Sequence, residues 1–354
     1  MPRDPHLPAL GLLDGGRLAE SLLDAGVVTG SVTEAKVLYV EYTPGTSLVL
    51  QADLQVDGHR RAAVLRAGSA LCRVARATGV PVPTVGAVLH WLPADPYVRM
   101  PAAASDLAHS PWFAVSRART GPELPDASLE MLSYVPGRRA TFGVGPYVVK
   151  TYGSEARFSL ARDAQRLLAN GAELPTPHAV GALPEHRMTI QRRVDGRPAE
   201  RHRTTQLAGA AGDLIDHLHS SPRSARVQRG PWAQLRAAHC AVLTLAAVSP
   251  DEAARSRRLL QQLTETVPVG LPMVLSHGDF SVDQLLVDPS GTLTVTDVDN
   301  ACQAPAGLDL ASFAANVMSG RTGDAEHSEA VLDELLARRD APPALDWYYA
   351  AALL

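Results

Sequence analysis

Short apolar runs that end in carboxylates fill the stretch from residue 274 to 301, VLSHGDFSVDQLLVDPSGTLTVTDVDNA. Apolar runs between turn residues are typical of short β-strands. Burying a carboxylate is costly unless it is paired, so acids at the ends of such strands either decorate turns or hold a cation. The stretch therefore predicts a small sheet whose loops carry five acids: Asp279, Asp283, Asp288, Asp297 and Asp299.

Three polar residues of this stretch are predicted to meet at one loop region. Asp279 and Gln284 lie at the turn between two strands, and Asp297 ends the strand TLTVTD. Two carboxylates and an amide form an all-oxygen set, which suits magnesium because that ion takes one or two carboxylates and leaves its other positions to water and phosphate. A zinc site would be expected to use nitrogen or sulfur ligands.

The composition is that of a globular protein with room for two or three domains: 354 residues, 46% hydrophobic and 20% charged. No apolar run reaches the roughly 18 residues of a membrane span, and the first residues lack the features of a signal peptide. The three cysteines lie far apart, with no spacing typical of disulfides or zinc sites. We therefore expect a cytoplasmic protein without a membrane partner.

The distribution of charge also limits the partners. The net charge is only -4, but residues 271–354 contain 13 acids and three arginines. A segment of that sign is a poor partner for nucleic acid or an anionic membrane and a better one for a cationic ligand or a metal–nucleotide complex. Lysine is rare, since only Lys36 and Lys150 are lysines, so a lysine at either position suggests that an ammonium group is needed there.

Turn signals divide the first part of the chain into two similar meanders. Residues 14–26 predict a helix, and three strands follow between 36 and 67, the first two joined by Pro44 and Gly45. A helix is expected over 68–79 and a long irregular connection over 80–127. A second meander of three strands, over 129–152, has Pro136 and Gly137 at its first turn. The match is compatible either with a duplication or with chance recurrence of a common turn.

The rest of the chain is predicted to be mostly helical. A helix is expected over 154–170 and a strand running into a turn over 188–198. Further helices are expected over 203–220, 232–247, 250–266, 307–319 and 325–339.

Two motifs in the acidic stretch resemble those of the aminoglycoside phosphotransferase and choline kinase family. HGDFSVDQ is similar to the family's catalytic loop, His-Gly-Asp-x4-Asn, and VTDVDNACQAPAGLDLA is similar to its following metal-binding segment. The resemblance implies an α+β, protein-kinase-like bilobal fold. It divides the chain into a small lobe at 128–195 and a helical large lobe at 196–354, preceded by an α+β region at 1–127. The matching turns give one interpretation of that region as a degenerate repeat of the small-lobe sheet.

The resemblance also implies roles for individual residues. Asp279 would be the catalytic base, Asp297 would bind magnesium, and Asp309 would support the catalytic loop. Gln284 stands where the family has Asn and would be the second metal ligand; the related maltokinase branch is similar in using Gln. His277 is interpreted as a residue that shapes the loop, and Asp283 and Asp299 as solvated turn acids, whereas His217 and His219 are read as helix-end residues without a catalytic role.

The nucleotide site implied by the resemblance lies in the small lobe. Lys150 would contact the α- and β-phosphates of ATP, Asp163 would be its acidic partner, and Glu155 is the second candidate for that role. The turn at 136–143 would cover the nucleotide. The strand containing Gln191 would be the hinge that holds the adenine through its backbone.

The sequence thus predicts an ATP- and magnesium-dependent O-phosphotransferase acting on a hydroxyl of a small molecule, most simply a cationic one such as an aminoglycoside or amino sugar. A neutral-sugar kinase of the maltokinase type is one alternative. A non-catalytic pseudokinase or binding module is another, prompted by Gln284 and Asp163. The identity of the acceptor and the oligomeric state are left open.

Overall fold

A computed structural model describes residues 4–101, 129–169, 174–319 and 325–354. The chain divides into two compact units, formed by residues 1–158, 181–190 and 243–252 and by residues 159–180, 191–242 and 253–354. Across the described ranges, no helix is long and apolar enough to cross a membrane.

The first sheet has five antiparallel strands among the described residues, in the order β1-β2-β3-β5-β4. Its elements are α1 (Gly15–Asp24), β1 (Val32–Thr43), β2 (Ser47–Val56), β3 (His59–Gly68), α2 (Arg73–Thr78), β4 (Val80–Val82) and β5 (Ala87–Trp91). Asp14 caps the N-terminus of helix α1, because its carboxylate accepts the backbone N–H of Gly16 at 2.9 Å. Alternate residues of β2 are buried, so one face of the sheet forms a core with Leu18 and Leu22 of α1.

The second sheet repeats this strand order as β6-β7-β8-β10-β9. Its elements are β6 (Leu129–Val135), β7 (Arg139–Val144), β8 (Tyr147–Tyr152), α3 (Glu155–Ala169), β9 (Ala179–Leu183) and β10 (Met188–Arg192). In both sheets a helix follows the third strand, and a short 3-10 turn that starts at proline, Pro83 or Pro184, joins the last two strands.

The remaining elements are mainly helical. They are β11 (Arg197–Pro198), α4 (Thr204–His219), α5 (Pro231–Val248), α6 (Pro250–Glu265), β12 (Met273–Ser276), β13 (Leu285–Val287), β14 (Leu293–Val295), β15 (Cys302–Pro305), α7 (Gly307–Asn316), α8 (Ala325–Leu336) and α9 (Leu345–Ala352). Strands β11, β13 and β14 form one small sheet, and β12 and β15 form another. Helix α7 is buried along most of its length and contacts α8 and α9. Buried residues of β12 to β15 belong to the same hydrophobic core as these helices.

The structure corrects three of the predicted elements. The connection predicted to be irregular over 80–127 contains β4 and β5 before residue 102, because AVLHW is buried and pairs with β3; residues 102–128 lie outside the described ranges. Strand β9 was not predicted. The single strand predicted over 188–198 is two strands in different sheets, since β11 pairs with β13.

Candidate active site

The loop that carries Asp279 follows β12 and is anchored in the core on both sides of the aspartate. His277 is fully buried, and its Nε2 donates to the carbonyl oxygen of Thr296 at 3.0 Å. Phe280 is also buried, with its ring 5.3 Å from that of Phe313. Asp279 itself is exposed. The loop therefore presents one carboxylate to solvent from a buried support, and the contacts of His277 agree with the structural role predicted for it.

Gly278 is required by the path of this loop. Its φ is 79°, and a Cβ at this position would lie 2.5 Å from the carbonyl oxygen of Asn300. Any other residue would combine a left-handed conformation with a clash against backbone. The backbone at position 278 therefore lies too close to the backbone of Asn300 to leave room for a side chain.

Asp309, in the first turn of α7, supports the loop that carries Asp279 by accepting hydrogen bonds from its backbone. Its fully buried carboxylate accepts the backbone N–H groups of His277 at 2.8 Å and Gly278 at 2.9 Å. His219 Nε2 lies 3.5 Å away, which is too long for a good hydrogen bond, so this contact is mainly electrostatic. Burial acts to raise the pKa of Asp309, but His219, His277 and the Gly278 N–H together hold it below its ordinary value. The loop-supporting role implied for Asp309 agrees with these contacts.

Substitution Asp309→Asn is expected to lower the free energy of unfolding by about 2 kcal/mol, because hydrogen bonds to a buried charged acceptor are weakened. The folded carboxyl binds its proton less readily than the unfolded one, so its contribution is complete above the ordinary pKa of 3.8 and is lost as the pH falls further. Urea unfolding between pH 7 and pH 3 measures this. The wild type should lose stability more steeply than the variant at the acid end; parallel curves would contradict the assignment.

A short network connects Asp279 to the segment that follows β14. Arg229 donates from Nη1 to the Gly278 carbonyl at 2.8 Å and from Nη2 to the Asn300 Oδ1 at 3.1 Å. The Asn300 Nδ2 in turn donates to Asp279 Oδ2 at 3.3 Å. Because Arg229 fixes which end of the Asn300 amide faces the carboxylate, the network restricts the orientation of Asp279.

Asp297 and Gln284 lie at the same end of the β13–β14 hairpin. Gln284 immediately precedes β13. Its backbone carbonyl accepts the backbone N–H of Thr296, the neighbour of Asp297, at 2.7 Å. Asp297 has φ 57° and ψ 40°, a left-handed conformation that is uncommon for residues other than glycine. Strained conformations of this kind cluster at functional sites, which is consistent with the metal-binding role predicted for Asp297.

The donor set at this hairpin end fits magnesium better than a softer ion. Asp297 and Gln284 offer carboxylate and amide oxygens, and no group of three or more His, Cys, Asp or Glu able to hold a metal occurs in the described part of the chain. Magnesium commonly uses only one or two protein carboxylates and completes its shell with phosphate and water. These two residues could therefore hold magnesium together with a bound phosphate.

The other acids of the opening stretch have different surroundings. Asp288 accepts the backbone N–H groups of Ser290 and Thr292, as expected of a turn aspartate, and the exposed Asp283 pairs with Arg201. Asp299 departs from the prediction of a solvated acid, because the buried Gln165 donates to it at 2.9 Å.

Two of the residues proposed for nucleotide binding are buried on strands. Lys150 lies on β8, paired with Thr141 of β7, and is only 6% exposed. Gln191 lies on β10 and is 4% exposed. The role of Lys150 at the phosphates remains a prediction.

Asp163 lies on α3 and has two arginine neighbours. Its carboxylate accepts a hydrogen bond from Arg162 at 2.9 Å and from Arg226 at 3.3 Å. The hydrogen bond from Arg162 and the charges of both arginines outweigh burial and lower the pKa of Asp163. The carboxylate is therefore a stable anion, and its role as the acidic partner of a lysine remains a prediction.

Sequence reasoning missed the residues that support the site from outside its motifs. His219 is not merely a helix-end residue, since it lies against the Asp309 carboxylate. Arg229 and Asn300 form the network behind Asp279. Asn300 stands within the motif segment and could have been suspected, whereas nothing in the sequence marks Arg229, which lies 50 residues before Asp279.

Comparisons with known proteins agree with this fold. The model of the phosphotransferase enzyme family matches residues 138–348. A search of curated proteins gave no significant match. Among solved structures, aminoglycoside phosphotransferase APH(3'')-Id from Streptomyces rimosus ATCC10970 is 22% identical with a TM-score of 0.51, over 72% of this chain and 98% of that one.

Two further structures are similar. APH(3'')-Id in complex with ADP and streptomycin gives 21% identity and a TM-score of 0.50, over 72% of this chain and 98% of that one. A choline/ethanolamine kinase family protein from Mesorhizobium loti gives 18% identity and a TM-score of 0.47, over 70% and 80% of the two chains.

These findings confirm the predicted α+β, protein-kinase-like fold. The family model covers more than half of the chain and includes every site residue named above from Lys150 to Asp309. The chain therefore belongs to the phosphotransferase enzyme family.

Proposed function

We propose that this phosphotransferase moves the γ-phosphoryl group of ATP, with magnesium, to a hydroxyl of a small cationic molecule such as an aminoglycoside or amino sugar. The observation that carries the proposal is the Asp279 loop. It presents an exposed carboxylate whose orientation is restricted by Asn300 and whose backbone is held by Asp309. Such a fixed carboxylate is what a general base for a hydroxyl nucleophile requires.

The proposed role of Asp279 is to accept the proton of the acceptor hydroxyl as that oxygen attacks the γ-phosphorus. The bond from the γ-phosphorus to the β,γ-bridging oxygen breaks, and ADP leaves with that electron pair. Little covalent chemistry is required of the protein in this reaction, so positioning provides most of the rate enhancement. Arg229 and Asn300 contribute by limiting the rotation of the Asp279 carboxylate.

The nucleotide would be held by groups that the motifs supply. Lys150 would contact the α- and β-phosphates, the backbone around Gln191 would contact the adenine, and Asp163 would provide the accompanying negative charge. Magnesium held by Asp297 and Gln284, when bound, would neutralise charge on the phosphates. The ADP and streptomycin complex of the relative from Streptomyces rimosus supports the choice of these two classes of ligand.

Charge supports a cationic acceptor. Helix α8 carries four exposed acids, and residues 271–354 contain only three arginines to balance their negative charge. A negative surface attracts a polycation and repels an anionic substrate. The acids are Glu326, Glu329, Asp333 and Glu334.

Two alternatives predict different outcomes in the same assay. A neutral-sugar kinase is suggested by Gln284, which stands where the family has Asn, and a non-catalytic binding module is suggested by Gln284 and Asp163 together. Purified protein with ATP and magnesium can be incubated with a panel of aminoglycosides, amino sugars and neutral sugars, and phosphorylated products can be identified by mass spectrometry. Products from aminoglycosides or amino sugars alone support the proposal, products from neutral sugars favour the first alternative, and ATP binding without any product favours the second.

Substitution Asn300→Leu is expected to lower kcat about tenfold, because the carboxylate of Asp279 loses the amide that restricts its rotation, a loss of roughly one hydrogen bond. The KM for ATP should change little. Arg236→Gln, an exposed arginine on α5, is the control and should behave as wild type. Steady-state kinetics at saturating acceptor measure both constants, and an unchanged kcat in Asn300→Leu would exclude this positioning role.

A further inference from the structure

Arg66 of the first sheet occupies the same register position as Lys150 of the second. In each sheet the residue two places after the proline of the Pro-Gly turn accepts a backbone hydrogen bond from the residue that follows the third strand. Thr46 accepts from Ser69 at 2.8 Å, and Arg138 accepts from Gly153 at 2.7 Å. Three residues further into each strand pair from these hydrogen bonds, Val49 pairs with Arg66 in the first sheet and Thr141 pairs with Lys150 in the second. The two cations are therefore equivalent in strand order and in register.

Arg66 is neutralised inside the protein. The side chains of Arg66 and Asp95 are 1% and 0% exposed, and Nη2 of Arg66 lies 2.9 Å from Oδ2 of Asp95. Burial acts to raise the pKa of Asp95, but the Arg66 guanidinium and the Tyr134 hydroxyl more than compensate, so the carboxyl stays ionised. A carboxylate of the chain itself thus supplies the counter-charge for Arg66 in the first sheet.

The same carboxylate binds the first turn of the second sheet. Asp95 Oδ2 accepts the backbone N–H of Gly137 at 2.9 Å and the hydroxyl of Tyr134, and its Oδ1 accepts the N–H of Tyr97 at 2.8 Å. Tyr134 and Gly137 lie on either side of Pro136. An ionised acceptor shared by two groups of one turn, deep in the protein, fixes that turn more firmly than neutral hydrogen bonds would.

Two further contacts join the first sheet, and the residues that follow β5, to the second sheet. Arg138 forms an ion pair with Glu41 of β1. The Thr151 hydroxyl, next to Lys150, donates to the carbonyl of Arg99 at 3.0 Å. The turn and the strand end that follows it are thus both supported by residues from the first part of the chain.

We propose that Arg66 and Asp95 are positioning residues for nucleotide binding. The first sheet is a non-catalytic repeat of the second, and Arg66 stands at the position that Lys150 occupies in the second sheet. Through Asp95, Arg66 fixes the turn at 136–143 that covers the nucleotide. This inference rests on the proposed function, because it assigns ATP to the second sheet. It assigns residues 4–101 a function in nucleotide binding and excludes a second nucleotide site at Arg66, whose charge is already paired with that of Asp95.

The test uses the full-length chain with both charges removed together, Arg66→Met with Asp95→Leu, because removing one partner would leave a buried unpaired charge. Tyr134→Phe is a milder second variant that removes one hydrogen bond to Asp95 and leaves the ion pair. The matched control is Arg60→Met with Asp53→Leu, an ion pair on strands β2 and β3 in which Arg60 is 75% exposed.

Two measurements separate this inference from the proposed function. The first is hydrogen exchange of a peptide spanning 133–141, which needs no nucleotide; the double variant should exchange at Gly137 at least about tenfold faster, since its acceptor is gone. The second is steady-state kinetics, in which the KM for ATP should rise about tenfold with kcat within about twofold, and Tyr134→Phe should raise it about threefold.

Faster exchange together with a raised KM in the two test variants, and neither change in the control pair, is the expected result. Unchanged exchange at 133–141 in the double variant or in Tyr134→Phe overturns the inference, as does faster exchange with an unaltered KM for ATP. If the wild type shows no ATP-dependent activity, the proposed function fails on that ground. The assignment to nucleotide binding then fails with it, and unchanged exchange would show separately that Asp95 does not hold the turn.

Discussion

Substitution Asp279→Asn is expected to lower kcat about a thousandfold, the loss typical of removing a general base. Asparagine keeps the size of the side chain and can still accept from Asn300, so the loop supported by Asp309 should keep its shape. The affinity for ATP should stay nearly the same, because the proposed contacts to the nucleotide do not include Asp279. Initial rates at saturating substrates, with ATP binding measured by calorimetry, test the two parts of this prediction.

Asp283→Asn is the matched control for this experiment. Asp283 lies four residues from Asp279 on the same loop, but it is exposed and paired with Arg201. Exposed ion pairs contribute little to stability, so kcat in the control should stay within roughly twofold of the wild type. A similar fall in both variants would mean that the loop responds to any loss of charge, and the assignment of Asp279 as the base would be wrong.

Substitution Asp297→Asn should have the second largest effect, a loss of at least about a hundredfold in kcat with a higher magnesium requirement, because one anionic ligand of the metal is removed. Asparagine tolerates the left-handed conformation that Asp297 adopts. The backbone should therefore be unchanged and the effect should come from the lost charge.

A magnesium titration of the initial rate measures this effect. Asp288→Asn is the control, since Asp288 belongs to the turn between β13 and β14 and its side chain accepts hydrogen bonds from Ser290 and Thr292 of the same turn. The control should show the magnesium dependence of the wild type. Equal magnesium dependence in Asp297→Asn and the wild type would count against a metal at this position.

The motif residues could be singled out from the sequence because their spacing is local. Gln284 and Asp297 stand at strand ends that turn residues delimit, and the structure places both at one end of the β13–β14 hairpin. Asp279 lies on the loop after β12, and the functional roles of all three remain predictions. The side chain of Asp309 could be assigned only through the resemblance, and the structure adds the physical reason: its carboxylate accepts two backbone N–H groups of the loop.

The parts that the sequence did not predict depend on contacts between distant positions. Arg229 reaches Asn300 across 71 residues, and Arg66 meets Asp95 across 29; neither arginine differs in its sequence surroundings from the many others in the chain. The sequence aligns RRAAVLRAGS with PYVVKTYGS, which contains Lys150, but does not show which residue of the first segment replaces the lysine. The hairpins before the two segments differ in length, and only the register of backbone pairing places Arg66 opposite its partner as Lys150 is placed. Strands β4 and β9 are too short for a reliable periodic pattern.

The most direct test of the proposed function is transfer of labelled γ-phosphate from ATP to an aminoglycoside by the wild type and by Asp279→Asn, with and without magnesium. We expect labelled, phosphorylated acceptor only from the wild type with magnesium, while both proteins still bind ATP. Labelled product from Asp279→Asn at the wild-type rate, or ATP binding by the wild type without phosphorylation of any hydroxylated acceptor tried, would contradict a phosphoryl transfer that depends on Asp279.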